Sequence, residues 1–351
     1  MPAKQFIGVQ ILRFIAAMLV VVMHTTEAIS VRITGEGPDH YWTGGAIGVD
    51  IFFVISGFVM AMSTARLPSG NQTQFQAAWI FLKRRLLRVA PLYWFYTLLK
   101  AALVLILPSL ALRSSIDTGH LFASLFFIPA ISPWGLVQPT LPVGWTLNFE
   151  MLFYLVFAIG IAWGVARIKF CFFVFLLVFV AAQLFPESVA LNFYGKSLLF
   201  EFILGMGIAH VYLNYPPVSP KMGLLAAIVG TTLILGINWG DRILGFSTWE
   251  AGAGFTVLVA VWLEPWIARL RLASRLSFLG DSSYSIYLSH TFAVPFGVLM
   301  LKKLGFQESL LIIPIICLLV IACGCISYLL IESPMTNFLK RAFFKRPSFS
   351  L

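Results

Sequence analysis

The sequence predicts an all-α protein, a polytopic transmembrane bundle of about ten helices with no soluble domain. Three observations point there. Of 351 residues, 60% are hydrophobic and only 11% charged, and the mean hydropathy is +0.92. A water-soluble domain of this size needs a charged surface that this composition does not supply. Several apolar runs approach or exceed the ~20 residues that span a bilayer core as helix. Lysine and arginine, finally, gather in alternate loops between those runs. In lipid every backbone polar group must be paired internally, so helices are the expected spanning element. The short alternating segments of an outer-membrane barrel do not occur.

The expected spans are 6–29, 45–65, 90–108, 141–165, 168–186, 195–214, 221–239, 248–266, 278–301 and 308–332. The first follows Lys4 as a signal peptide would, but Arg13 interrupts it and no small-x-small cleavage site follows, so a retained helix is expected. Segment 75–90, FQAAWIFLKRRLLRVA, mixes apolar and basic residues and suggests an amphipathic helix on the cytoplasmic membrane surface against anionic lipid. The apolar piece 120–131 lies between loops and is bounded by Pro129 and Pro133. It is too short to cross and is expected to be re-entrant or interfacial. Cys171, Cys317, Cys323 and Cys325 all lie in apolar runs and are read as packing residues, with no metal or disulfide role.

Placing the N-terminus inside puts sixteen basic residues in cytoplasmic segments and six in outer loops. That asymmetry predicts ten crossings with both termini cytoplasmic. It also accounts for the net charge of +10 without nucleic acid, since the basic residues flank apolar helices.

Charge inside a bilayer is costly and usually lines a cavity. Such residues here are Arg13, Asp50, Lys100, Glu150 and Glu201, with His24, His210 and His290 also in apolar helices. Arg13 and His24 are eleven residues apart, so they share a helix face about 16 Å apart along the axis. Counting along their own helices gives His24, Asp50 and Glu150 a similar depth. A histidine beside a carboxylate suits a general base of fixed tautomer; the structural alternative is a hydrogen bond within the bundle. Tyr287 and His290 share a face. Arg85 and Arg88 do too, and their forked donors suit phosphate, although topology alone also calls for basic residues there. No Walker-type loop, dinucleotide fingerprint or zinc spacing occurs.

Six motifs appear in order: Arg13 and His24 in VQILRFIAAMLVVVMH, GVDIFFVISGF at 48–58, RLLRVAPLYW at 85–94, WTLNFE at 145–150, SYSIYLSH at 283–290 and IESP at 331–334. The ordered set resembles the membrane-bound acyltransferase family 3, and most of all its ExoZ-like branch, which acetylates bacterial exopolysaccharide. The resemblance implies an acyltransferase family 3-like transmembrane domain at 1–340 and a basic cytoplasmic tail at 341–351. It implies a multi-pass protein of the bacterial inner membrane that moves an acetyl group from acetyl-CoA to a sugar hydroxyl. Many relatives carry a fused extracytoplasmic hydrolase-like domain; this chain, ending at Leu351, is expected to lack one.

The site expected on these grounds has His24, Glu150, Asp50 and Arg13 as catalytic residues. Arg85, Arg88 and Arg13 are expected on acetyl-CoA, and Tyr287, His290, Trp145 and Asn148 along the substrate channel. No metal is expected. The expected partners are acetyl-CoA, a carbohydrate acceptor and membrane lipids. The competing expectation is a transporter or flippase of a lipid-linked sugar, which needs neither the Arg13–His24 register nor the Arg85–Arg88 pair.

Overall fold

The computed structural model describes residues 6–37, 41–65, 73–106, 116–215 and 248–344, with isolated positions between 219 and 228. It is a helical bundle: α1 (Ile7–Ile29), α2 (Ile47–Thr64), α3 (Gln74–Ile106), α4 (Thr118–Leu125), α5 (Trp145–Ala162), α6 (Arg167–Leu184), α7 (Val189–Tyr194), α8 (Leu198–Asn214), α9 (Thr248–Trp262), α10 (Glu264–Ile267), α11 (Ala273–Asp281), α12 (Ser283–Lys303), α13 (Ser309–Ser327) and α14 (Ser333–Phe343). Among the described residues, extended pairing is limited to one isolated bridge, Ile131 with Val137. Among the described residues, seven helices are long and apolar enough to cross a membrane, and α8 and α9 are shorter apolar helices. The expected span 221–239 lies outside the described residues, as does most of the expected tail.

Helix α2 is the hub, packed against α1, α8 and α9. Its contact with α8 is set by two glycines. A Cβ at Gly57 would sit 2.0 Å from the Phe202 carbonyl oxygen, and one at Gly205 would sit 1.9 Å from that of Val54. Only hydrogen fits there, so the two backbones touch, which is how membrane helices gain packing energy without a solvent-driven term. Phe53, Phe202 and Phe153 continue the seam, with ring centroids 4.7 and 4.4 Å apart.

Helix α1 runs beside α2, α11 and α12. Its first amides are capped from far along the chain: Ile7 and Gly8 donate to the two carboxylate oxygens of Glu264 at 2.8 and 2.7 Å. An anion there satisfies orphan N–H groups and complements the helix dipole. At its other end α1 passes directly into a π-helical turn, Ser30–Thr34.

One expectation is corrected. Segment 75–90 is not a separate surface helix. It forms one continuous 33-residue helix with the span that follows, Pro91 included. At 1.5 Å per residue α3 is about 50 Å long, some 20 Å more than a hydrocarbon core. Phe81 and Ala78 are buried in the bundle, so the apolar face of this basic stretch meets protein as well as lipid. The piece 120–131 does not cross. Its helix α4 is pinned to α3, whose Tyr93 hydroxyl donates to the Ser124 carbonyl at 3.1 Å and whose Trp94 indole donates to that of Leu125 at 2.7 Å. His120 is tied in the same way, its Nε2 lying 2.8 Å from the Gln138 carbonyl oxygen.

Candidate active site

A cavity of about 850 Å³, counting its open mouth, is lined by Arg13 from α1, Ser56 from α2, Arg85 and Arg88 from α3, Thr146, Glu150 and Tyr154 from α5, and Tyr284 and Tyr287 from α12. Five helices thus converge on it, and each was marked by one of the sequence motifs. The i, i+3 spacing sets Arg85 and Arg88 on one face of α3, and the fold turns that face inward. Arg85 Nη2 donates to Ser63 Oγ at 3.3 Å, and its guanidinium lies 5.6 Å from the centroid of Phe81. Its Nε is buried with no hydrogen-bond partner. Arg13 donates to Gln10 Oε1 at 3.1 Å and feels the charges of Arg88, Glu332, Asp281 and Glu150.

Glu150 accepts from Ser56 Oγ at 3.1 Å and from the hydroxyl of Tyr154, one turn along its own helix. It therefore sits in the cavity with the arginines, not beside His24. Glu332, in the π-helical turn Tyr328–Glu332, is buried and accepts from Ser285 Oγ at 2.7 Å. This bond joins the IESP motif to SYSIYLSH. Tyr284 Oη donates to the Val89 carbonyl at 2.9 Å and ties the same motif to α3.

Tyr287 leads out of the cavity. Its hydroxyl meets Thr146 Oγ1 at 3.1 Å and donates to the Val143 carbonyl at 3.1 Å. The His290 ring is 5.7 Å from the Tyr287 ring, and the His24 ring is 5.0 Å beyond it, edge to face. The order is cavity wall, Tyr287, His290, His24. In both imidazoles Nδ1 faces a backbone carbonyl of its own helix: Val20 at 3.1 Å for His24, and Tyr287 for His290. A carbonyl only accepts, so a neutral ring must carry its proton on Nδ1, leaving Nε2 as the basic nitrogen. His290 is fully buried, and its Nε2 has no hydrogen-bond partner.

The fold does not bring the other expected residues here. Asp50 is buried near Glu201 and Glu250, whereas His24 Nδ1 faces the Val20 carbonyl. Ser197 Oγ donates to Glu250 at 2.6 Å, so this acidic group belongs to the packing of α2, α8 and α9. Trp145 packs against Phe149, with ring centroids 5.9 Å apart, and Asn148 is buried with its Oδ1 unpartnered. Neither lines the cavity, whereas their neighbours Thr146 and Leu147 do. Depth counted along separate helices misses this, because it gives neither where each helix starts relative to its neighbours nor which way a side chain faces. Ser56, Tyr154, Tyr284 and Glu332 were not singled out from sequence. The signals were present: Tyr154 is four residues after Glu150, and Ser56 and Glu332 lie inside recognised motifs.

Among the described residues, no group of three or more His, Cys, Asp or Glu side chains is placed to hold a metal ion, and all four cysteines are free.

The acyltransferase domain family model matches residues 6–330. The chain belongs to acyltransferase family 3. This acyltransferase is 37% identical over 273 residues to the exopolysaccharide production protein ExoZ of Rhizobium meliloti (strain 1021), covering 74% of this chain and 80% of that one. It is 26% identical over 336 residues to acyltransferase MdmB of Streptomyces mycarofaciens, covering 85% and 81%. To O-acetyltransferase OatA of Staphylococcus aureus (strain NCTC 8325 / PS 47) it is 26% identical over 291 residues, which are 71% of this chain and 46% of that one. No solved structure matches the chain.

Proposed function

We propose that this multi-pass membrane acyltransferase moves an acetyl group from acetyl-CoA to a sugar hydroxyl of an exopolysaccharide or related surface glycan. The observation that carries the reading is the three-arginine cavity, whose Tyr287 wall is linked by ring contacts to His290 and on to His24. Coenzyme A is a polyanion, and forked guanidinium donors are the side chains best matched to phosphate. The unpartnered Nε of Arg85 is a donor waiting for such an acceptor. The names of the ExoZ and OatA relatives support exopolysaccharide and O-acetyl transfer as the chemistry.

In this mechanism Arg85, Arg88 and Arg13 hold the donor's phosphates, and the thioester at the far end of the pantetheine arm reaches His24. His24 Nε2 takes the proton of the acceptor hydroxyl as its oxygen attacks the acetyl carbonyl. A C–O bond forms, the C–S bond breaks, and the proton passes from His24 to the departing thiolate. His290 positions the His24 ring by its edge-to-face contact. Glu150 serves the donor cavity through Ser56 and Tyr154 rather than acting on His24, and Asp50 stays in the acidic group with Glu201.

The positive-inside rule supports an inner-membrane orientation with both termini and the Arg85 end of α3 in the cytoplasm. The test is glycan analysis of strains carrying wild-type, deleted and His24→Ala alleles. O-acetyl groups should be present in the first and missing from the other two. Unchanged O-acetylation in the deletion strain would refute the function.

A further inference from the structure

We propose that a second pocket, at the opposite end of α1 from Arg13, is the acceptor subsite and holds one sugar ring of the glycan; this rests on the acyltransferase reading above. The pocket has a volume of about 430 Å³, within the roughly 300–1,000 Å³ of small-molecule sites. Its wall includes Thr26, Thr34, Glu36, Tyr41, Trp42 and Ser309. Two aromatics, one carboxylate and several hydroxyls match a sugar, which has an apolar C–H face for a ring to cover and a rim of hydroxyls for oxygens to bind. Among the described lining residues there is no lysine or arginine, so the pocket does not suit the polyanionic donor.

Trp42 is presented as a platform. It is 44% exposed despite its size. A Cβ at Gly44 would lie 2.7 Å from the indole Nε1 and 2.8 Å from Cε2 and Cζ2. The ring is therefore seated on a bare glycine backbone. The Trp42 amide donates to Thr26 Oγ1 at 3.3 Å, which locks this segment to α1 two residues past His24. The next part of the wall, Ser30–Thr34, is the π-helical turn, a distortion that often accompanies functional sites.

Along α1 and the π-helical turn that follows it the order is Arg13 in the donor cavity, His24, then Thr26 and Thr34 in this pocket. Thr26 is about 3 Å past His24 along the helix axis, and Arg13 about 16 Å before it. Residues two apart on a helix project about 200° apart, so Thr26 and the pocket lie across α1 from the His24 ring, which faces His290. The ring on Trp42 is therefore a unit of the glycan next along from the one acetylated. Among the described residues the two pockets share no lining residue, so glycan and donor are held through separate entrances.

The test uses the full chain in lipid nanodiscs. The probe is the host's exopolysaccharide, stripped of O-acyl groups by mild alkali and cut to oligosaccharides. Binding is read by saturation-transfer difference NMR and by quenching of tryptophan fluorescence. Trp42→Ala should weaken oligosaccharide binding roughly 10-fold, because the apolar face of the sugar loses the ring that covers it. Trp42→Phe should restore most of it, and Gly44→Ala should weaken it by displacing the indole. Acetyl-CoA affinity should stay unchanged in all three. Equal oligosaccharide binding by Trp42→Ala and wild type, or none by wild type, would overturn the site. If wild type binds acetyl-CoA but no oligosaccharide, the pocket assignment fails and the acyltransfer reading stands. If it binds oligosaccharide through Trp42 but no acetyl-CoA, the sugar site stands and the acyltransfer reading fails.

Discussion

Arg85→Ala separates a donor site from mere topological charge. Arg85 lines the cavity with Arg13 and Arg88, makes one 3.3 Å hydrogen bond to Ser63 and leaves its Nε unpartnered. Truncation therefore removes little from the fold: one ordinary hydrogen bond and a cation–π contact, on the order of 1–2 kcal/mol. If the guanidinium holds a phosphate of acetyl-CoA, the lost charge-assisted contact is about 1.5–3 kcal/mol. At about 1.4 kcal/mol per tenfold, that is a rise of roughly 10- to 150-fold in Kd. The control is Arg84→Ala. It removes the same charge one residue away, but Arg84 does not line the cavity, and its guanidinium lies 5.5 Å from the Phe344 ring. Only screened long-range attraction is lost there, so its Kd should rise less than about threefold at physiological salt. Isothermal titration of acetyl-CoA into nanodisc-embedded protein measures both variants, with melting curves to establish that each is folded. Equal weakening by the two substitutions, or a Kd for Arg85→Ala within twofold of wild type, would refute the assignment and leave topology as the reason for these arginines.

Other substitutions probe separate parts of the structure. His24→Ala should cut acetyl transfer by about 10²–10⁴-fold while acetyl-CoA affinity holds; single-turnover assays decide, and a His24→Gln enzyme at near wild-type rate would remove His24 as the base. Gly205→Ala should lower the melting temperature by forcing α2 and α8 apart. The atoms its Cβ would meet, Val54 O at 1.9 Å and Phe58 N at 2.7 Å, are backbone, so the cost should reach or exceed the ~1–3 kcal/mol of overpacking. An unchanged melt would show that the helices do not touch there. Ser285→Ala removes the hydrogen-bond donor that Ser285 supplies to the buried Glu332 and should cost about 1–3 kcal/mol. Adding Glu332→Gln should recover part of that in a double-mutant cycle, and simple additivity would show the bond to be energetically silent.

Much of this architecture is written locally in the chain. Apolar run length and the near absence of charge establish the helices, because in lipid a backbone segment must satisfy itself. The same local logic puts Arg85 and Arg88 on one face and marks Arg13 and His24 as costly residues inside a span. It does not fix where a helix ends relative to the membrane, so the basic stretch 75–90 reads as a surface element although it continues unbroken into α3.

What the tertiary structure alone decides is which of these residues meet. His24 faces His290, from a distant helix, rather than a carboxylate. Glu150 joins Ser56, Tyr154 and the arginines, and Asp50 is buried near Glu201 and Glu250. Each outcome depends on the rotation and offset of one helix against another. Those are set by close-packed contacts such as Gly57 on Phe202 and Gly205 on Val54, between residues far apart in sequence. Helical period and hydropathy are properties of a few neighbouring residues, so the sequence determines them by itself. Azimuth and register between helices are properties of the assembled bundle, where many small packing terms add up, and no single segment carries them.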